Sequence, residues 1–222
     1  SGWSFTKWDI PVDWKFINFS GGPFDRDYIN IFQQYIMDEP RENEPLAPST
    51  QKPLTYNQLN RIVDIAKKEV GVTEDPPGSN KGRRVNEYLA SIGLQPGLGW
   101  SAAFVYWVYK QAGAEHKLRK TGSVMQLWND INNNEKITLK EAMTNPSLIQ
   151  PGNLFFISTG NNAGHMGIVE SIKGQTIYTI EGNSNNTGGT ASIGVVRGVR
   201  QLENINLGFS TFGVKDLPAM AK

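Results

Sequence analysis

Three features of this sequence predict an α+β fold, with N-terminal helices packed on an antiparallel β-sheet. Apolar residues recur at helical spacing up to residue 113, and after Pro151-Gly152 they gather instead in short runs of strand length. Between two of those runs Lys173-Gly174 sits where a tight hairpin turn belongs.

The first predicted helix opens at Thr55, with Gln58 three residues on as a capping box. It continues through Leu59, Ile62, Val63, Ala66 and Val70, and Gly71 supplies a stop. Val85, Leu89 and Ile92 before Gly93 mark a second. The third runs from Ser101 to Gly113 and is apolar on nearly every face, which predicts a central buried helix. A polar stretch over 114–150 holds short helical pieces around 124–128 and 139–143. Strands are expected over 154–157, 165–172, 176–181, 194–199 and 208–212.

Ahead of this body, residues 1–39 are rich in aromatic side chains, and three of the six tryptophans (Trp3, Trp8 and Trp14) lie in the first 14 residues. A ring-packing arm accounts for them, with a ligand-stacking surface as the alternative. Pro40, Pro45, Pro48 and Pro53 among polar residues leave little scope for helix or sheet and read as a linker. The expected organisation is therefore 1–54 as arm and linker and 55–222 as the catalytic body. The opening Ser1-Gly2, without a start methionine or an apolar leader, reads as the scar of a processed leader or tag.

Composition narrows the function. Among 222 residues, 38% are hydrophobic and 19% charged, so a packed core is available. The formal net charge of +1 argues against a protein that coats nucleic acid, since phosphate neutralisation needs a basic excess. Residues 1–55 carry 5 basic and 8 acidic groups, leaving 17 and 13 for the body, a mild positive bias. No apolar run reaches the roughly 18–20 residues of a membrane span. With no cysteine there is neither disulfide nor thiol nucleophile. Two distant histidines and no H-E-x-x-H motif argue against a zinc site, and no phosphate-binding glycine motif is present, so no cofactor is expected.

Of the two histidines, His116 falls in a charged segment after a helix stop and reads as solvated. His165 begins an apolar strand, Gly164-His165-Met166-Gly167-Ile168-Val169, and its flanking glycines let other groups approach; it is placed as a general base. Ser101 emerges from the glycine-rich Gly97-Leu98-Gly99-Trp100 into the first turn of a buried helix, where free N–H groups stabilise an anion. Glu181 and Asn183 end the strand after the His165 strand; two apart, they are expected on one face, either able to orient the imidazole. Trp100 is a candidate groove wall, Trp107 reads as core, and Gln95 is a candidate donor of a second oxyanion hydrogen bond.

The block from Asn80 through Val85 and Tyr88 to Gly99-Trp100-Ser101-Ala102-Ala103-Phe104-Val105 resembles the nucleophile block of CHAP-type and NlpC/P60-like peptidases, usually P-W-C-A-A-F-V. Pro151-Gly152-Asn153-Leu154 is similar to their P-G-D-L, Gly164-His165-Met166-Gly167 to their G-H-V-G, and Ile180-Glu181-Gly182-Asn183 to the segment supplying further polar site residues. The resemblance covers about 55–215. It implies a papain-like fold, hydrolysis of amide bonds in bacterial peptidoglycan, and work outside the cytoplasm, secreted or in the periplasm and cell envelope. The bond would lie in the stem peptide or between N-acetylmuramic acid and L-alanine. The enzyme would be an autolysin, a phage-type lysin or an antibacterial effector, the last with a cognate immunity protein as partner.

The departure falls on the nucleophile. Residue 101 is serine where the family has cysteine. A thiol ionises near a pH of about 8.5, and lower beside histidine, whereas a serine hydroxyl forms no such ion pair and must lose its proton during attack. The expected reading is a cysteine-type amidase or endopeptidase in a Cys-to-Ser inactivated form; the alternative is a natural pseudoenzyme that binds cell-wall peptide or a protein partner. The milder change at Asn153 lies at a position with no evident part in the chemistry.

Overall fold

The structure, a computed structural model, describes residues 52–185 and 193–212. The chain divides after Pro45 into two units, and these residues belong to the second. The aromatic-rich stretch and nearly all of the proline-rich one lie outside the described residues. Leu54, expected in the linker, already belongs to the body: it is buried and its N–H donates to the Phe212 carbonyl at 2.8 Å.

Three helices come first, α1 (Tyr56–Glu69), α2 (Arg83–Ser91) and α3 (Ser101–Ala112). The Thr55–Gln58 capping box closes α1 in both directions, satisfying N–H groups that a helix start otherwise leaves unpaired. Gly113 ends α3 in the left-handed conformation, a C-terminal cap that its missing side chain makes easy. The short α4 (Val124–Asp130) and α5 (Leu139–Thr144) follow; α5 opens with a second capping box, Thr138 with Glu141.

The strands are β1 (Lys136–Thr138), β2 (Leu154–Gly160), β3 (Ala163–Lys173), β4 (Thr176–Ser184), β5 (Gly194–Gln201) and β6 (Gly208–Ser210). They form one antiparallel sheet in the order β1-β6-β2-β3-β4-β5. The β2–β3 hairpin is tighter than the sequence predicts. Asn161 and Asn162 both adopt positive φ (49° and 57°), as a two-residue primed turn requires, so pairing continues to Gly160 and Ala163. His165 is consequently the third residue of its strand rather than the first. The β3–β4 turn falls at Gly174-Gln175, where Gly174 has φ 59°.

Side-chain alternation divides the core between the two faces of the sheet. On one face Leu154, Phe156, Met166, Ile168, Ile180 and Val195 pack with α1–α4. On the other, Phe155, Val169, Ile177 and Phe209 pack with Ile137, Ala142, Ile149, Leu202 and Ile205. Helix α3 is the hub of the first face, with only Trp107, Lys110 and Gln111 not buried. No described helix is long and apolar enough to cross a membrane.

Candidate active site

Ser101 is the first residue of α3 and is 7% exposed. Trp100 occupies the N-cap, and among the described residues no side chain caps the helix, which leaves the N–H groups of its first turn to an anion. The loop before it is held from the side: Gly97 N–H donates to the Asn80 carbonyl at 2.9 Å. Trp100 itself is fully buried. Its ring stacks on Tyr88 with centroids 5.7 Å apart, and its indole N–H donates to Glu74 Oε1 at 2.8 Å. This corrects the expectation that Trp100 walls a groove. An indole whose N–H is satisfied by a buried carboxylate anchors the nucleophile loop and offers no face to a substrate. Gln95 is exposed on the same loop and forms no hydrogen bond among the described residues.

The second half of the site lies at the ends of β3 and β4. His165 Nε2 and Glu181 Oε2 are 2.7 Å apart. Glu181 is almost fully buried, and three further side chains converge on it. Arg200 donates from Nε to Oε1 and from a terminal nitrogen to Oε2, both at 2.6 Å. Thr179 Oγ1 donates to Oε1 at 2.6 Å, and Ser184 Oγ to Oε2 at 3.1 Å. Burial alone pushes the Glu181 carboxyl upward. Hydrogen bonds from Arg200 and His165, together with their charge, outweigh it and hold the group well below the usual carboxylate range. An ionised carboxylate only accepts, so Nε2 carries the proton of the neutral imidazole, and Nδ1 is left without a hydrogen bond among the described residues. Phe155 floors the cluster, its ring 5.9 Å from that of His165 and 5.1 Å from the Arg200 guanidinium carbon.

The two halves meet through Gly182 and Asn183. A Cβ on Gly182 would lie 2.6 Å from Phe104 Cβ and 2.8 Å from the Trp100 ring, so only glycine lets β4 lie against the first turn of α3. Asn183 does not share the face of Glu181. It takes φ 57°, a left-handed value that asparagine tolerates, within a register shift between Glu181 and Ser184. Its Nδ2 lies 3.5 Å from where a Cβ on Gly99 would stand, beside the nucleophile loop. The structure thus brings Glu181 to His165 and Asn183 to the loop before Ser101. Ser101 and His165 are not hydrogen-bonded to each other.

Residues 94–183 match the family model of the CHAP domain. Over those residues the chain is similar to a CHAP domain. That match spans Gln95, Ser101, His165, Glu181 and Asn183. CHAP domains form a family of peptidoglycan hydrolases, and this chain has no cysteine. Two solved structures are similar to it. The crystal structure of the wild-type endolysin LysIME-EF1 is 14% identical, with 70% of this chain and 64% of that one covered, at a TM-score of 0.45. The crystal structure of Ly7917 is 18% identical, with 68% and 60% covered, at a TM-score of 0.39. The chain spans less than two thirds of the length of either. No curated protein matches it.

Arg200 and Glu74 were not singled out from the sequence. Arg200 alternates with Val196 and Gly198 along one face of β5, and a strand-borne charge on the face of Glu181 was the available signal. Glu74 precedes a Pro-Gly turn and gives no comparable sign. His116 is exposed, as the sequence predicts; Trp107, read as core, is only half-buried against it; and Asn153 is buried in a turn, accepting from Gln150 N–H at 2.8 Å and donating to the Thr211 carbonyl at 3.3 Å. Among the described residues no group of three acidic, histidine or cysteine side chains is placed to hold a metal ion.

Proposed function

We propose that this CHAP domain is the scaffold of a cysteine-type peptidoglycan amidase or endopeptidase, held here in a serine form of low activity. The observation that carries the reading is His165 gripped at Nε2 by a buried, ionised Glu181 while Nδ1 stays open. It stands at the sheet end that packs on the start of the Ser101 helix.

In the cysteine form the thiol would pass its proton to His165 Nδ1 and attack the amide carbonyl. The N–H of residue 101, at the head of α3, would face the tetrahedral oxyanion. The imidazolium would then protonate the leaving amine, and the same histidine would activate the water that releases the acyl group. Serine at 101 removes the thiolate–imidazolium pair on which this sequence depends. Ser101 and His165 share no hydrogen bond here, and catalytic hydrogen bonds often tighten only when substrate is bound. Such a hydrolase works outside the cytoplasm, and an antibacterial role would add a cognate immunity protein. The arm and linker ahead of Leu54 would precede this domain as a separate element.

A second reading, a natural pseudoenzyme that binds cell-wall peptide, is favoured by the absence of cysteine from the whole chain. Mass spectrometry of muropeptides from purified sacculi, treated with this chain or with its Ser101→Cys variant, separates the two. Products from the cysteine form alone are expected, and their masses name the bond. Sacculi left intact by both proteins would overturn the hydrolase reading.

A further inference from the structure

We propose that Arg200 is a positioning residue of this site: its guanidinium fork fixes the plane of the Glu181 carboxylate, and through it holds His165 in the Nε2–H tautomer with Nδ1 open. The proposal deepens the hydrolase reading and rests on it for its functional meaning, though its physical content can be measured without activity.

The first observation is the geometry of the fork. Arg200 reaches both carboxylate oxygens at 2.6 Å, and a bidentate contact defines orientation as well as distance. Thr179 and Ser184 each touch one oxygen, and neither can fix the carboxylate plane alone. If the carboxylate turned, Oε2 would leave the line of His165 Nε2, and nothing else among the described residues bonds that ring.

The second observation is that the sheet is cleared to make room for this contact. Gly198 lies opposite Thr179 in the β4–β5 ladder, two residues before Arg200. A Cβ there would stand 2.5 Å from Glu181 Oε1 and 2.6 Å from Thr179 Oγ1. On the other side a Cβ on Gly167 would stand 2.7 Å from the Phe155 ring and 3.1 Å from Glu181 Cγ. Two glycines on β3 and β5, the strands flanking β4, therefore leave room for the Glu181 carboxylate. Neither has a positive φ, so the need is for space and not for an unusual backbone.

The third observation is the floor. Phe155 lies under both the His165 ring and the Arg200 guanidinium and is fully buried. It offers the imidazole no polar alternative to Glu181, and it adds a cation–π contact that holds Arg200 in place.

The test reads the imidazole nitrogens of His165 by NMR in the chain as it stands, at a pH where the ring is neutral. The parent should show the Nε2–H pattern, with Nδ1 unprotonated. Arg200→Gln should give a mixture of tautomers, and Arg200→Lys, which keeps the charge without the fork, a partial shift. Gly198→Ala should reproduce the mixture with Arg200 still present, because its methyl displaces the carboxylate. Should Arg200→Gln fail to fold, Arg200→Lys and Gly198→Ala carry the same comparison. Arg84→Gln, at an arginine remote from His165 in the fold, should leave the pattern untouched. In the Ser101→Cys background, Arg200→Gln should lower kcat by about 10–100-fold with little change in KM, the scale on which outer partners of a working histidine act. An unchanged Nε2–H pattern in the folded Arg200 and Gly198 variants overturns the proposal, even if Ser101→Cys cleaves sacculi. A Ser101→Cys form without activity would instead sink the hydrolase reading and leave the tautomer result standing.

Discussion

Two buried glutamates in this domain are each forked by an arginine and differ in the ring group that shares the carboxylate. Glu69, at the end of α1, is forked by Arg84 with both contacts at 2.7 Å, and Arg84 lies over the Trp107 ring at 4.3 Å. Glu181 is forked by Arg200 at 2.6 Å, and Arg200 lies over Phe155 at 5.1 Å. Beside Arg84, Glu69 accepts from the Tyr88 hydroxyl at 2.5 Å, whose phenol is pushed upward first by burial and then by Glu69 itself. That proton stays in place at any ordinary pH, so the cluster works as a lock between helices. Glu181 is shared instead with the His165 imidazole at 2.7 Å, whose second nitrogen forms no hydrogen bond among the described residues. One arrangement of carboxylate, fork and ring thus serves structure in one place and, on the proposed reading, chemistry in the other.

The comparison is tested hardest by removing each carboxylate. Glu181→Ala and Glu69→Ala both strip a bidentate partner from an arginine and should each cost about 3–5 kcal/mol in denaturant unfolding. The lower end is expected, since Arg84 and Arg200 keep some contact with water. Activity should separate them: in the Ser101→Cys background Glu181→Ala loses turnover, while Glu69→Ala retains it at temperatures where the protein is folded. Equal loss in both would mean that the Glu181 cluster is structural as well.

Acid should act on both clusters in the same direction. In each glutamate the hydrogen bonds and charge of the partners overcome burial and lower the folded value. A group with a folded value below its unfolded one contributes stability above the unfolded value, about pH 4.3 for glutamate. That contribution is lost as the pH falls from there towards the folded value. Glu181→Gln and Glu69→Gln should each flatten the acid limb of a stability-versus-pH curve, and the double variant should flatten it further. An acid limb as steep in the double variant as in the parent would contradict the assignment.

A third buried carboxylate sharpens the contrast, because no arginine among the described residues serves it. Glu74 is 3% exposed and accepts from the Trp100 indole at 2.8 Å and from the Asn80 N–H at 3.0 Å. Glu74→Ala would leave that indole N–H unpaired in a fully buried site, at a cost of about 1–3 kcal/mol by thermal or denaturant unfolding. Trp100 caps α3, so the loosened ring should also lower kcat in the Ser101→Cys background. The His165 tautomer, held by Glu181 across β3 and β4, should not change.

These contacts also show what is legible in a sequence. Local chemistry came through: the Thr55–Gln58 box, the Gly113 cap, the apolar periods of α1–α3 and the strand runs after Pro151 all act between near neighbours. Strand β1 did not, because Lys136–Thr138 is too short to show a period and is held by pairing with β6 more than seventy residues away. Ser101, His165 and Glu181 stood out as polar residues at the edges of apolar segments. Trp100 misled because an indole beside a nucleophile suits a groove wall or a buried anchor equally well, and only its bond to Glu74 decides. Asn183 was placed by strand alternation, which its left-handed φ interrupts. Arg200 needed the β4–β5 register, a long-range fact that no local pattern carries.

The mildest test concerns the hydroxyls that complete each carboxylate. Thr179 Oγ1 donates to Glu181 Oε1, yet Arg200 reaches the same oxygen and the carboxylate keeps four other contacts. Thr179→Val replaces the hydroxyl by a methyl of nearly equal volume and should cost about 1 kcal/mol in denaturant unfolding. With the fork intact, the Nε2–H pattern of His165 should persist. Loss of that pattern in Thr179→Val would move the orienting role from Arg200 to the threonine and end the parallel with Arg84. Tyr88→Phe is the matched change in the other cluster: it removes the phenol from Glu69 and leaves Arg84 to hold the carboxylate. A similar small cost at both positions would place the fixing of each carboxylate in its arginine, with the hydroxyl only filling the last acceptor site.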